Sequence, residues 1–158
     1  MKYISILRHG KSPQNPLDDR SRILSEEGRL DIENLANKLK SHNIIFDFII
    51  SSPIKRAKQT FEIIKSNQKA SFEVEWSESL YSYEDKNLNK IITDINDKYS
   101  NVLIVGHNPI ISEIGCNLCK DESHISCLPG SFKQFEIDIE LWKNFIPNSG
   151  KLIQNIQP

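Results

Sequence analysis

The feature that most constrains the fold is a run of four apolar residues, Val102-Leu103-Ile104-Val105, closed by Gly106-His107-Asn108-Pro109. Three of the four are β-branched, and the run shows no polar alternation. A strand of that kind is buried on both faces, as in a parallel sheet covered by helices on each side. Residues 2–7 read as a second buried strand, with Arg8-His9-Gly10 just past its C-terminal end, and Phe46 to Ser51 as a third. Helical patterns lie between these strands. Ser25 is placed to cap a helix that runs to about Ser41, with Glu26 and Glu27 in its first turn. Ser52-Pro53 marks a second helix start, with Ser at the cap and Pro in the first helical position. That helix carries Arg56, Ile63 and Ile64. Residues 87–99 place Leu88, Ile91, Ile92 and Ile95 at helical spacing, and Pro109 opens a last helix. Phe72 to Trp76, Phe132 to Ile139 and Lys151 to Ile156 read as further strands. This alternation predicts an α/β domain with a mostly parallel sheet.

The length of 158 residues fits one domain spanning positions 1–158. Twenty basic residues against 21 acidic ones give a net charge of −1, so bulk charge asks for neither nucleic acid nor a membrane surface. Any positive field must be local. The apolar run at the N-terminus is ended by Arg8, too soon for a secretory signal, and no stretch nears the roughly 18 apolar residues of a membrane span. Three bunched cysteines, Cys116, Cys119 and Cys127, do not form the even framework of a secreted disulfide protein. A cytoplasmic location is the expectation.

The residues able to do chemistry collect at strand ends. Arg8-His9 closes the first strand, Arg56 sits one turn into the helix after another, and His107 follows the Val102–Val105 run. Ligands of open α/β sheets bind outside the carboxyl ends of the strands. If these strands are neighbours, two arginines and two imidazoles converge on a volume suited to a dianionic phosphoryl group. The motifs Arg8-His9-Gly10, Ser51-Ser52-Pro53-Ile54-Lys55-Arg56-Ala57-Lys58-Gln59-Thr60 and Gly106-His107-Asn108-Pro109 together resemble the histidine phosphatase, or phosphoglycerate-mutase-like, superfamily. Asp19-Arg20-Ser21-Arg22-Ile23-Leu24-Ser25 with Gly28 is similar to the pattern of its small SixA-type phosphohistidine phosphatase branch. The resemblance covers Lys2 to about Leu118. It implies a three-layer αβα sandwich with a mostly parallel, mixed sheet.

It also implies roles. His9 is expected to be a nucleophile that forms a phosphohistidine intermediate. Arg8, Arg22, Arg56, His107 and Asn108 are expected to bind phosphoryl oxygens, with no metal or other cofactor. The chemistry is consistent on its own terms. A neutral imidazole is a competent nucleophile near neutral pH, and neighbouring guanidiniums disfavour its protonated form. Of Arg20 and Arg22, either side chain is able to turn inward. Family members acting on phosphate esters carry a Glu or Asp as general acid. The matching position here is Ser82, with Glu78 and Glu84 nearby as candidates for that role. An alkoxide needs a proton to leave, whereas imidazole leaves phosphohistidine readily, so a missing acid hurts ester hydrolysis most. Only 51 residues separate Arg56 from His107, which leaves no room for a capping insertion. The expected substrate is therefore phosphohistidine on a signalling protein. A small phosphorylated molecule is the alternative substrate, and a silent phosphate-binding module the alternative class.

Other residues carry weaker signals. Cys116, Cys119, His124 and Cys127 have the types of a Cys3His zinc set, against the plainer reading of small core residues. His42 and His124 are expected at the surface, and Gln59 and Thr60 in packing or capping.

Overall fold

The computed structural model describes residues 1–69, 71–82, 87–121 and 124–158. Their elements, in chain order, are β1 (Lys2–Arg8), α1 (Glu26–Ser41), β2 (Phe48–Ser51), α2 (Lys55–Ser66), β3 (Glu73–Trp76), α3 (Leu88–Thr93), β4 (Asn101–Gly106), α4 (Ile110–Leu118), β5 (Phe132–Ile137) and β6 (Lys151–Ile156). Single 3-10 turns lie at Glu78–Leu80 and Trp142–Asn144. The strands form one sheet in the order β3-β2-β4-β1-β5-β6. The first four in that order run parallel, and β5 and β6 are antiparallel to their neighbours. The sheet is mixed, as expected.

The period of two along each strand divides the core. Ile4, Ile6, Phe48, Ile50, Val102 and Ile104 pack with Ile92, Ile110, Ile111 and Ile114 of α3 and α4. Leu7, Ile49, Leu103 and Val105 pack with Ile32, Leu35, Leu39, Ala57, Phe61 and Ile64 of α1 and α2. Helices therefore cover both faces, which gives the three-layer sandwich. Each of Val102 to Val105 is wholly buried, and truncating such a residue to Ala costs about 2–5 kcal/mol.

Helix α1 begins as its sequence predicts, with the Ser25 hydroxyl accepting from the Gly28 N–H at 3.0 Å. Two other helices depart from expectation. Helix α2 starts at Lys55, because Ile54 remains extended and the Ser52 hydroxyl accepts from the Ile54 N–H at 3.3 Å. Helix α3 stops at Thr93 instead of continuing toward residue 99. The Asn96 side chain accepts from the Lys98 N–H at 3.0 Å, a local turn that competes with helix, and Asp97 accepts from the Trp142 N–H. Tyr99 then stacks on Phe48 with ring centroids 4.3 Å apart.

The start of α1 lies directly against the chain that follows β1. A Cβ at Gly28 would stand 2.2 Å from the Lys11 carbonyl oxygen, and one at Gly10 would stand 2.9 Å from that of Gly28. Only glycine permits this approach. Among the described residues no helix is long and apolar enough to cross a membrane.

Candidate active site

The parallel register sets three strand ends side by side. Arg8 pairs with Gly106 across β1 and β4, and Ser51 with Val105 across β2 and β4. The ladder continues one step beyond each strand, with the His9 N–H donating to the Gly106 carbonyl at 3.0 Å and the Ser52 N–H to that of Val105 at 2.9 Å. His9, Ser52 and His107 thus leave the sheet together. The His9 and His107 rings are 5.0 Å apart, tilted by 53°. From the other side, the Gly130 N–H reaches the carbonyls of both Arg8 and His9.

The contacts of His9 define its chemistry. Nδ1 lies 2.7 Å from the Gly10 carbonyl, which only accepts, so Nδ1 carries the proton. Nε2 therefore keeps its lone pair, and it accepts from Arg56 Nε at 3.2 Å. Burial, together with the Arg56, Arg8 and Arg22 charges, outweighs the Gly10 contact and lowers the His9 pKa to about 4. His107 is lowered to about 3, chiefly by burial, then by His9 and Arg56. Both rings are neutral at pH 7. His107 Nε2 lies 2.8 Å from the Ser52 hydroxyl. Among the described residues, its Nδ1 is buried without a partner, as is Nε of Arg8. Unsatisfied buried polar atoms are uncommon, and two of them flank one imidazole pair.

Three guanidiniums surround the rings. Arg8 Nη1 donates to the Cys127 carbonyl at 3.1 Å. Arg56 is held in the first turn of α2 and is 4% exposed. Arg22 is the inward member of its pair, its side chain 10% exposed against 56% for Arg20. Arg22 also braces the loop, with Nε donating to the Pro13 carbonyl and Nη2 to that of Ser12. Arg20 instead meets Glu78 with both Nη atoms, at 3.3 and 3.2 Å, and lies over the Tyr81 ring.

Asp19 and Tyr81 join this group, although neither was singled out from sequence. Asp19 Oδ1 accepts from Arg22 Nη1 at 2.9 Å. Its Oδ2 accepts from Arg56 Nη2 at 3.1 Å and from the Tyr81 hydroxyl at 2.8 Å. The Asp19 carbonyl takes Arg56 Nη1 at 2.8 Å. These contacts, led by Arg22, hold the Asp19 carboxyl well below the usual carboxylate range. Tyr81 also sets its ring edge against His107, with centroids 5.3 Å apart. The clustering of Asp and Arg over residues 18–22 is the sequence signal for Asp19, and it does not tell which side chain turns inward.

The remaining candidates separate. Asn108 is committed to the frame: its Nδ2 donates to the same Cys127 carbonyl that holds Arg8, and its Oδ1 accepts from Ser112. Glu78 stands at the rim, paired with Arg20, with no contact to either histidine. Glu84 lies outside the described residues. Gln59 accepts from the Leu24 N–H, and Thr60 from that of Gly10, so both tie α2 to the site loops. Cys119 and Cys127 are buried, and Cys116 Sγ accepts from the Ile125 N–H. Among the described residues no three His, Cys, Asp or Glu side chains are grouped to hold a metal ion.

Two neutral imidazoles, ringed by arginines at the C-terminal edge of a mixed sheet, define a class of phosphoryl-handling site. The model of the histidine phosphatase superfamily (branch 1) matches residues 4–101, and the chain belongs to that superfamily. Within it, the chain is 25% identical over 122 residues to the phosphohistidine phosphatase SixA of Escherichia coli (strain K12), covering 76% of each chain. It superposes on the structure of the protein histidine phosphatase SixA complexed with tungstate with a TM-score of 0.79 at 20% identity, over 98% of this chain and 96% of that one. The phosphoserine phosphatase of Entamoeba histolytica, in complex with 3-phosphoglyceric acid, gives 0.68 at 16% identity, over 100% and 98%. At these identities the structural likeness speaks for the fold alone.

Proposed function

We propose that the chain is a phosphatase that removes the phosphoryl group of phosphohistidine on a cytoplasmic signalling protein, through a covalent phospho-His9 intermediate and without a metal. The observation that carries this reading is the state of His9. Its Nδ1 proton is fixed on the Gly10 carbonyl, its Nε2 lone pair faces Arg56, and its low pKa keeps it unprotonated.

Nε2 of His9 attacks phosphorus as the P–N bond to the substrate imidazole breaks. The leaving imidazole takes up a proton from solvent water. Water then attacks phosphorus, the P–Nε2 bond breaks, and inorganic phosphate departs. Arg8, Arg22, Arg56 and His107 bind the equatorial oxygens, so catalysis is mainly positioning and electrostatics. Asn108 acts one step back, by holding the carbonyl that orients Arg8.

The carboxyl groups support the choice of leaving group. Among the described residues, Asp19 is held as an anion and Glu78 is tied to Arg20, so neither offers a proton beside His9. Loss of a general acid weighs on an alkoxide far more than on an imidazole. The overlap with SixA of E. coli agrees with this preference.

The test is a substrate panel run on wild type and His9→Ala. A phosphohistidine-bearing protein domain should be dephosphorylated faster than phosphoserine or sugar phosphates, and a labelled donor should leave acid-labile label on His9. Faster hydrolysis of sugar phosphates would reject the substrate assignment.

A further inference from the structure

Asp19 places a negative charge among the groups expected to bind the phosphoryl group. It is no bystander at the rim. Its two carboxylate oxygens take one N–H each from Arg22 and Arg56, at 2.9 and 3.1 Å, and the hydroxyl of Tyr81 at 2.8 Å. Nε and Nη2 of Arg56 share one edge of the guanidinium. On that edge Nε faces His9 Nε2, the nucleophilic atom, and Nη2 faces Asp19 Oδ2. A carboxylate oxygen therefore lies beside the nucleophile on the edge of Arg56 that a phosphoryl oxygen would use. Two anions cannot use the same N–H groups at once. Nor can a dianion approach an anion in this setting without cost, because like charges repel more strongly where burial lowers the effective dielectric.

The carboxylate is also built to move. Its side chain is 44% exposed, while its partner Arg56 is only 5% exposed. Arg56 is anchored independently by the Asp19 carbonyl and by His9, and Arg22 by the carbonyls of Ser12 and Pro13. The guanidiniums stay in place if the carboxylate swings away.

We propose that Asp19 is an internal counter-anion that competes with phosphate for Arg22 and Arg56, is displaced by the phosphoryl group of the substrate, and returns to expel inorganic phosphate. It is then the residue that sets discrimination between a phosphoryl group delivered on a docked protein and free oxyanions in solution. Tyr81 is the positioning residue that aims the carboxylate. This inference rests on the reading of the arginine cluster as a phosphoryl site.

The test is calorimetric titration of inorganic phosphate into wild type, Asp19→Asn, Asp19→Ala and Tyr81→Phe at one pH and ionic strength. Asp19→Asn keeps the shape and removes the charge, and should bind phosphate about tenfold tighter. Asp19→Ala should shift the same way. Tyr81→Phe, which frees Oδ2 of one anchor, should tighten binding by about two- to threefold. Under turnover, product inhibition by phosphate should strengthen in the same order. Equal or weaker phosphate binding in Asp19→Asn would make Asp19 a brace for its arginines and overturn the proposal. If that variant does not fold, a Tyr81→Phe protein that binds phosphate no tighter than wild type overturns it equally. The outcomes separate from those of the phosphatase reading. Wild type that dephosphorylates no phosphohistidine yet binds phosphate more weakly than Asp19→Asn loses the first reading and keeps this one, and no phosphate binding by any of the proteins rejects both.

Discussion

Two halves of the site are built by different means. In the strand-end half, main-chain hydrogen bonds that extend the β1-β4-β2 ladder fix His9 and Ser52, His107 follows β4 directly with its ring on the Ser52 hydroxyl, and all three are 5% exposed or less. The loop half, residues 11–22, is held by side chains: Arg22 on two carbonyls, Asp19 on two arginines, and Lys11 paired with Glu27. The first half places Nε2 of His9, the nucleophile of the proposed reaction, on a backbone that continues the sheet. The second brings Asp19 and Arg22 against Arg56, the arginine that faces that nitrogen. In the proposed reaction, position and charge thus come from separate parts of one site.

That division can be broken from the strand side first. His9→Ala should lower turnover of phosphohistidine by about 10⁴-fold or more and abolish acid-labile labelling. Thermal unfolding should still be cooperative, because the ladder that holds position 9 is main chain. Arg56→Ala spans both halves, since it removes the partner of His9 Nε2 and of Asp19 together. A loss of about 10²–10³-fold in kcat is expected, and Arg56→Lys should recover little, because a point charge does not replace the fork.

Titration sharpens the contrast. Burial lowers His9 to about 4 and His107 to about 3, from 6.5. Between those values and 6.5 the unfolded chain binds more protons than the folded one, so stability falls as pH drops through this window and is fully present above it. Each histidine should contribute a slope of up to about 1.4 kcal/mol per pH unit, read from denaturant unfolding at pH 7, 6 and 5. His107→Ala should flatten that slope. Activity set by His9 should persist below pH 6 and fade toward pH 4. A midpoint near 6.5 would mean that the imidazole is not desolvated as described.

The smallest effect belongs to the loop side. The Arg20–Glu78 pair is exposed on both partners, and such pairs contribute about 0–1 kcal/mol. Glu78→Gln should leave turnover within about twofold and stability within about 1 kcal/mol. A loss of 10²-fold in turnover would instead make Glu78 the general acid.

The same contrast explains what was readable beforehand. Residues at strand ends are fixed by the apolar runs that precede them, so Arg8, His9 and His107 were legible as one constellation once three buried strands were recognised. Arg56 followed from its distance past Ser51. Loop side chains have no period. Within Asp18-Asp19-Arg20-Ser21-Arg22 nothing local says that Asp19 and Arg22 face inward while Arg20 lies outward on Tyr81. Tyr81 itself reaches the site from beyond β3, a contact that only the tertiary fold supplies. The helix starts show a related failure. Ser52-Pro53 has the residues of a helix start, yet Ser52 meets His107 and the helix begins at Lys55. A good cap was put to another use at the site.

The contact between Gly28 and Lys11 has a mechanical meaning. Lys11 is two residues from His9, and the backbone of α1 presses on it with no side chain between. Through that contact helix α1 backs the chain just past His9, like a stop set against a lever. A disturbance of α1 well away from the arginines would be felt as a misaimed His9, slowing the chemical step while leaving the affinity for phosphate nearly untouched.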